Sequence, residues 1–427
     1  ISLGLQSLKG IGRLIEVYGL KGDMLNEPSP EDYTDTKIET HSDKEVPSIA
    51  IIPFENKGKE EDAFYTYGIS ADLISDCSSA GLIRVAGLKE VEELGDIPFK
   101  EKAKKLFVRY VATGTLWKMD DMFQLSVELY DTKDNKVVWS DRWQEKWDNL
   151  STIKGSLSDG LLKALDTKPK IEKKIETTNA EAYEFYLKAK HKYDKRENTD
   201  DTEIARGLLH KAIELDDNLI SAKVLLGWTY SEMGDYDKAM EIYTPALKQA
   251  ETLGDKRGIG FSLTNIGSVY YYKSDYDKAL DYYSRSLAIQ EELGDKRGMG
   301  YSLNNIGLVH WHKSDYKKAE DYLEKSQAIQ KEIGLGEGSL MLETTTYLYL
   351  TYKHLGKEYD EKEIHSLIKE TENIEFDLNL CLYELLDDKS YLETACNQVQ
   401  EKASAMEEEL KAKFLSYPIP KAIVEEW

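Results

Sequence analysis

A chain of 427 residues is too long for one ordinary hydrophobic core, so two or more domains are expected. The formal net charge of −23 makes nucleic acid and membrane surfaces poor partners and favours a basic peptide or basic protein face, although solubility alone is a competing explanation. The cysteines, Cys77, Cys381 and Cys396, form no CxxC pair, and no stretch of about 18 apolar residues occurs. We therefore expect a cytoplasmic protein without a disulfide framework, a zinc site or a transmembrane helix.

The first 46 residues predict two extended runs followed by a linker. In residues 1–20, ISLGLQSLKGIGRLIEVYGL, the turn LKGIG separates two runs, the second rich in β-branched and aromatic residues. So short a piece cannot bury a core alone, and the sequence lacks an initiator Met, so we expect it to be the edge of a preceding domain in a longer protein. Residues 21–46 are dominated by charges, Pro, Ser and Thr, which is typical of a linker.

Residues 47–167 predict a compact α/β unit with a mixed sheet. PSIAIIPF and LIRVAG are apolar strands, and FKEKAKKL is a short charged helix. The segment between the two strands has apolar residues at helical spacing, namely Ile69, Leu73, Ile74 and Cys77. An alternating stretch that breaks at DD and at KDNK then predicts an antiparallel meander of three strands, and a helix near 150–166 closes the unit.

From about residue 180 the pattern changes to helices that repeat with a period of 40. Three columns share one register: Gly227, Gly267 and Gly307; Tyr236, Tyr276 and Tyr316; Ala239, Ala279 and Ala319. Each unit is predicted to be two antiparallel helices, in which Gly267 lets the next helix approach, Ala279 is small where two helices cross, and Tyr283 fills the space beside Ala279. The repeated GDKRG is interpreted as loop and helix-cap chemistry rather than as an anion site.

These columns resemble the tetratricopeptide repeat family, because LLGWTY, NIGSVY and NIGLVH match its W/L-x-x-L-G-x-x-Y pattern. The resemblance implies an all-α superhelix over residues 180–373, with less regular outer units, and a helical cap over residues 374–427. Within the cap, residues 387–413 predict one long amphipathic helix.

The groove positions of this family, projected onto the sequence, give a set of candidate partner-binding residues. They are Thr264, Asn265, Ser268, Tyr272, Asn304, Asn305, Leu308, Trp311 and His312. Asn side chains suit hydrogen bonding to an extended peptide backbone, and Tyr and Trp suit apolar anchoring. The competing interpretation is that these side chains are solvated or pack between helices.

SIAIIPFENKGKEEDAFYTYGISADLI and VRYVATGTLWKMDDMFQLSVELYDTKDNKVVWSDRW resemble the TolB amino-terminal-like (FlgO-like) domain over residues 47–167. In bacterial proteins that module lies between an effector domain and tetratricopeptide repeats. SLGLQSLKGIGRLIEVYGL looks like the closing strands of a class III adenylate/guanylate cyclase domain, with Leu14 where Pro is usual. The resemblance implies a regulatory and protein-interaction region of a bacterial cyclase in cyclic nucleotide signalling, with the upstream cyclase domain as a partner in the same polypeptide.

Two other interpretations remain open: the sensor half of a transcriptional regulator or kinase, and a free-standing repeat adaptor. In all three the chain itself is expected to be non-catalytic. P-loop, GxSxG, HExxH and EF-hand patterns are missing from the sequence, and the metal-binding carboxylates of a cyclase would lie upstream of residues 1–20. We therefore predict no catalytic residue, no metal site and no cofactor in this chain.

Overall fold

The computed structural model describes residues 2–7, 14–18, 47–79, 83–95, 97–167, 177–333, 338–371 and 373–427. Strands β1 (Ser2–Ser7) and β2 (Leu14–Tyr18) pair antiparallel, so the two predicted extended runs are confirmed. The predicted linker over residues 21–46 lies outside the described residues.

The α/β unit is built on a mixed sheet, as predicted. Its strands are β3 (Ser48–Ile51), β4 (Glu55–Asn56), β5 (Arg84–Val85), β6 (Tyr110–Met119), β7 (Met122–Asp131) and β8 (Lys136–Lys146). Their order is β5-β3-β6-β7-β8, with β4 also on β6. β3 runs parallel to β5 and β6, whereas β6, β7 and β8 form the predicted antiparallel meander.

Both faces of this sheet are covered at β3, which explains the continuous apolar run of that strand. The helices of the unit are α1 (Ala63–Ser79), α2 (Leu88–Glu93), α3 (Phe99–Lys105) and α4 (Leu150–Ala164). Ile49 and Ile51 share a core with α1 and α4, while Ala50 between them belongs to a second core with α2 and α3. The four apolar residues predicted for α1 are all buried.

The described residues from 177 onward are mainly helical. The helices are α5 (Ala180–Asp194), α6 (Thr199–Leu215), α7 (Ile220–Glu232), α8 (Tyr236–Leu253), α9 (Lys256–Tyr272), α10 (Tyr276–Leu293), α11 (Lys296–His312), α12 (Tyr316–Glu332), α13 (Ser339–Leu355), α14 (Glu361–Glu370), α15 (Phe376–Leu386), α16 (Lys389–Ser404), α17 (Glu408–Ser416) and α18 (Pro418–Glu426). α5 pairs with α6, α7 with α8, α9 with α10 and α11 with α12, and the first helices of successive units also touch.

The repeat columns have the packing roles that the sequence predicts. A Cβ on Gly267 would lie 2.7 Å from the ring of Tyr283, so the two helices of that unit can approach only because position 267 lacks a side chain. Ala279 and its two column partners are completely buried. In the GDKRG loop, Gly254 ends α8 in the left-handed conformation and Asp255 caps α9 by accepting from the Gly258 amide, which confirms the cap interpretation.

The single long helix predicted over residues 387–413 is wrong. α16 ends at Ser404, and the chain turns at Glu407 before α17 begins. The turn lets Met406 and Phe414 both pack on Gly234. A Cβ built on Gly234 would lie only 2.8 Å from the Phe414 ring. This tertiary contact decides the break, since the helical periodicity continues through it.

The α/β unit is fastened to the array through buried charges. Asp72 of α1 accepts from Lys154 at 2.6 Å, from Lys190 of α5 at 3.0 Å and from the Tyr183 hydroxyl at 2.5 Å. Burial alone would raise the pKa of Asp72, but the two lysines hold it well below its usual range. Further along α1, Asp76 pairs with Arg257 of the GDKRG loop at 2.7 Å, so α1 also reaches the start of α9.

Candidate partner-binding groove

A cavity of about 50 Å³ lies between the first helices of successive units, α9, α11 and α13, and the C-terminal helix α15. We use "the groove" for the face of α9, α11 and α13 that carries this cavity. Four of the candidates predicted from the sequence line it: Ser268, Tyr272, Asn305 and Leu308. The remaining lining residues are Tyr271, Tyr283, Glu343 and Asp377.

Two carboxyl groups form the acidic side of the cavity. Burial, and then the proximity of Asp377, raise the pKa of Glu343 to about 7. Burial likewise raises the pKa of Asp377, although its side chain accepts from the Leu378 amide and from Tyr272 Oη, the latter at 3.3 Å. Two carboxyls in a poorly solvated cavity repel each other, so a cation placed between them would be strongly favoured.

The polar groups opposite the carboxyls differ in how far they are satisfied. Tyr283 Oη donates to Ser268 Oγ at 3.1 Å. The Asn305 amide, by contrast, makes no hydrogen bond with any of the described residues. Its donor and acceptor are therefore available to a bound group at the cavity wall.

Asn304 supports the cavity from behind. It is completely buried, donates from Nδ2 to Glu343 Oε2 at 2.7 Å, and accepts from Thr344 Oγ1 at 2.8 Å. Asn304 therefore orients the Glu343 carboxyl rather than facing the open groove.

Trp311 and His312 belong to an aromatic cluster at the end of the groove. The Trp311 ring meets Tyr347 edge-on with centroids 5.3 Å apart, and His312 Nε2 lies 2.9 Å from Tyr271 Oη. Burial lowers the pKa of His312 to about 4, so its imidazole is neutral near pH 7. These rings pack between the helices of neighbouring units.

Thr264 and Asn265 lie about one helical turn before the cavity and do not line it. Thr264 Oγ1 bonds Ser286 Oγ at 2.7 Å, and Asn265 Nδ2 donates to the Phe261 carbonyl within its own helix at 2.8 Å. Asn265 and Asn305 occupy the same position of neighbouring repeats, 40 residues apart, but only Asn305 reaches the cavity.

Residues 220–252 and 258–332 each match a family model described as tetratricopeptide repeat. These segments are tetratricopeptide repeats. The second match contains all the groove candidates predicted from the sequence, so they lie within tetratricopeptide units. A search of the curated proteins finds no match to this chain.

Solved structures are similar over parts of the chain. BtubC (BKLC) from P. vanneervenii is 20% identical with a TM-score of 0.37, over 44% of this chain and 76% of its own. TolB from Acinetobacter baumannii is 19% identical with a TM-score of 0.22, over 28% of each chain. A signal transduction ATPase with a tetratricopeptide repeat sensor from Pyrococcus horikoshii is 21% identical with a TM-score of 0.38, over 58% of this chain and 37% of its own. The chain thus spans less than two thirds of the length of TolB and of the signal transduction ATPase.

Sequence reasoning missed Glu343 and Asp377. A signal for both is present, since each is the one carboxylate in a mainly uncharged stretch of its helix: LMLETTTYLYL and FDLNLCL. A charge at such a position is rarely buried unless it is paired or functional. They were missed because the repeat period of 40 does not extend over these irregular outer helices.

Two further properties hold for the part of the chain that the structure describes. None of its helices is long and apolar enough to cross a membrane. Within the same residues, no group of three or more His, Cys, Asp or Glu is arranged to hold a metal ion.

Proposed function

We propose that the repeat array is a protein-interaction region whose groove binds an extended segment of a peptide or protein partner. The observation that carries this proposal is the convergence of Ser268, Tyr272, Asn305 and Leu308 on one cavity of the groove. An amide, two hydroxyls and an apolar side chain suit a partner that brings both backbone polar groups and an apolar contact. Trp311, His312, Thr264 and Asn265 would then support the groove through packing and helix contacts.

The chemistry of the cavity favours a basic partner. Neither Glu343 nor Asp377 forms an ion pair with any described residue, and Lys402 acts on Asp377 only at longer range. A Lys or Arg side chain of the partner would supply the missing positive charge. The net charge of −23 would add long-range attraction for such a segment.

A selection from a display library of random linear peptides tests this proposal. We expect the intact chain to enrich peptides that contain Lys or Arg, and a fluorescein-labelled enriched peptide to bind in an anisotropy titration. Glu343→Gln should weaken that binding by about tenfold or more, since a buried charge pair is lost. The control Glu358→Gln, at an exposed side chain, should not.

Two results would contradict the proposal. If the selection enriches no peptide above a surface without protein, the proposed peptide binding by the groove is refuted. If the enriched peptides lack basic residues and Glu343→Gln binds them as well as the wild type does, the acidic cavity does not contribute to binding. Asn305→Ala should weaken binding more than Asn265→Ala, because only Asn305 lines the cavity.

We also infer that the parent protein is a class III nucleotide cyclase of the bacterial cytoplasm. The support is the resemblance of residues 1–20 to its closing strands and of residues 47–167 to the TolB-like module; β1 and β2 pair as two closing strands would. On this proposal residues 180–373 and 374–427 are the repeats and their cap. The coding sequence upstream of Ile1 tests this inference. A regulator or kinase domain there would favour the sensor half of a transcriptional regulator or kinase. If no domain is encoded there, a free-standing repeat adaptor is favoured.

A further inference from the structure

The C-terminal helices reach back across the groove to an earlier helix pair, α7 and α8. α15 lies on α13, where the Cys381 thiol contacts the Tyr347 hydroxyl and Asp377 meets Tyr272. Farther along, α17 packs on the turn between α7 and α8. We use "the clasp" for α15 to α18. The clasp closes the helices from α8 to α17 into a ring, because α15 contacts α13 and Phe414 of α17 contacts Gly234, just before α8.

The contact that closes the ring is small and depends on a few side chains. Phe414 is completely buried against Gly234, which has a positive φ of 79° and no side chain in the way. The rings of Tyr417 and Tyr236 lie 4.8 Å apart, and Lys413 forms an ion pair with Asp237 at the surface. Exposed ion pairs contribute little to stability, so the buried side chains Phe414, Met406 and Tyr417 account for most of this contact, and Phe414 is the most deeply buried of the three.

The closed ring leaves no room for a peptide in the groove. The cavity of about 50 Å³ can hold a few water molecules at most. Asp377 of α15 forms one of its walls, and Tyr271 behind it is buried. A partner segment can therefore occupy the space between Asn305, Glu343 and Asp377 only after α15 has moved away.

We propose that the clasp regulates the groove, with Phe414 as the contact that keeps it shut; this inference rests on the proposed function of the groove. Release of α17 from the turn at Gly234 frees α15 to leave α13, which uncovers the acidic cavity. A partner that binds only the open form then shifts the population toward it. The observed affinity is therefore the affinity of the open form multiplied by the fraction of molecules that are open.

Thiol labelling in the full chain measures this opening without any ligand. Cys381 lies on α15, on the part of the clasp that packs on α13, whereas Cys77 lies in the core of the α/β unit and serves as an internal reference; both are buried. Ellman's reagent, with the labelled cysteine assigned by mass spectrometry, gives the rate at each site. We expect Phe414→Ala to speed labelling of Cys381 by about tenfold or more and to leave Cys77 unchanged.

Two further variants separate opening from general destabilisation. Leu323→Ala removes a buried side chain packed on Gly307, away from the clasp, and should not speed labelling of Cys381 selectively. Lys413→Glu places like charges opposite Asp237 and should open the clasp mildly, and adding Asp237→Lys should reverse part of the effect, because Asp237 also pairs with Lys273 at 2.5 Å. The enriched library peptide described above should bind Phe414→Ala more tightly than the wild type.

Three results would overturn the inference. If Phe414→Ala speeds labelling of Cys381 no more than Leu323→Ala does, the contact at Gly234 does not hold the clasp. If labelling accelerates but the peptide affinity stays the same, the clasp does not control access to the groove. If neither the wild type nor Phe414→Ala enriches any peptide, the proposed function itself fails, and with it the control of access, although labelling still reports whether the clasp opens.

Discussion

The buried carboxyl of Glu343 should make the protein less stable as the pH rises. Burial raises its pKa from an ordinary 4.5 to about 7. At low pH the carboxyl is protonated in both the folded and the unfolded chain, so its ionisation does not lower the free energy of unfolding. Between these two pKa values the unfolded chain releases the proton first, so stability falls until the folded carboxyl also ionises. The full loss above about pH 7 corresponds to about 3 kcal/mol, since each pKa unit is worth about 1.4 kcal/mol.

Glu343→Gln removes this loss while keeping the oxygen that accepts from Asn304 Nδ2. We expect the variant to be more stable than the wild type by up to about 3 kcal/mol near pH 8 and equally stable near pH 4. Urea unfolding followed by far-ultraviolet circular dichroism at both pH values measures the difference. Glu358→Gln is the matched control, since its side chain is exposed.

A difference between Glu343→Gln and wild type that is the same at both pH values would refute the reasoning. So would a wild type that is the more stable protein near pH 8. A gain in stability accompanied by a loss of peptide binding would have a clear meaning: the carboxyl is kept for the ligand, at a cost to the fold.

Ala279→Phe should overpack a completely buried position and lower the free energy of urea unfolding by about 1–3 kcal/mol, and unchanged stability would contradict the assigned repeat columns. Gly234→Ala should lower the melting temperature more than Gly254→Ala, because both glycines have positive φ but only at Gly234 would a Cβ meet Phe414; equal losses would count against that contact. Residues 1–427 should form no cyclic nucleotide from ATP or GTP with Mg²⁺ or Mn²⁺, and product would overturn the assignment of catalysis to a preceding domain.

Much of the groove could be predicted from the sequence because the repeats are local. A period of 40 fixes which residues share a face, so the spacing alone places Ser268 and Asn305 on neighbouring first helices. The same logic could not separate a side chain that faces the cavity from one that supports it. Asn304 and Asn305 are adjacent in sequence, and the contact of Asn304 with Glu343 puts it behind the wall.

Local sequence patterns were enough to predict the α/β unit with its meander, the helical repeats, their small-residue columns and the caps at Gly254 and Asp255. These features depend on periodicity and on residues a few positions apart, where the steric and hydrogen-bonding requirements are local. Long-range packing, by contrast, makes α16 and α17 separate helices, binds Arg257 to the α/β unit and makes the cavity acidic. Each of these depends on a contact between distant segments, such as Phe414 with Gly234, which leaves no periodic signal in the sequence.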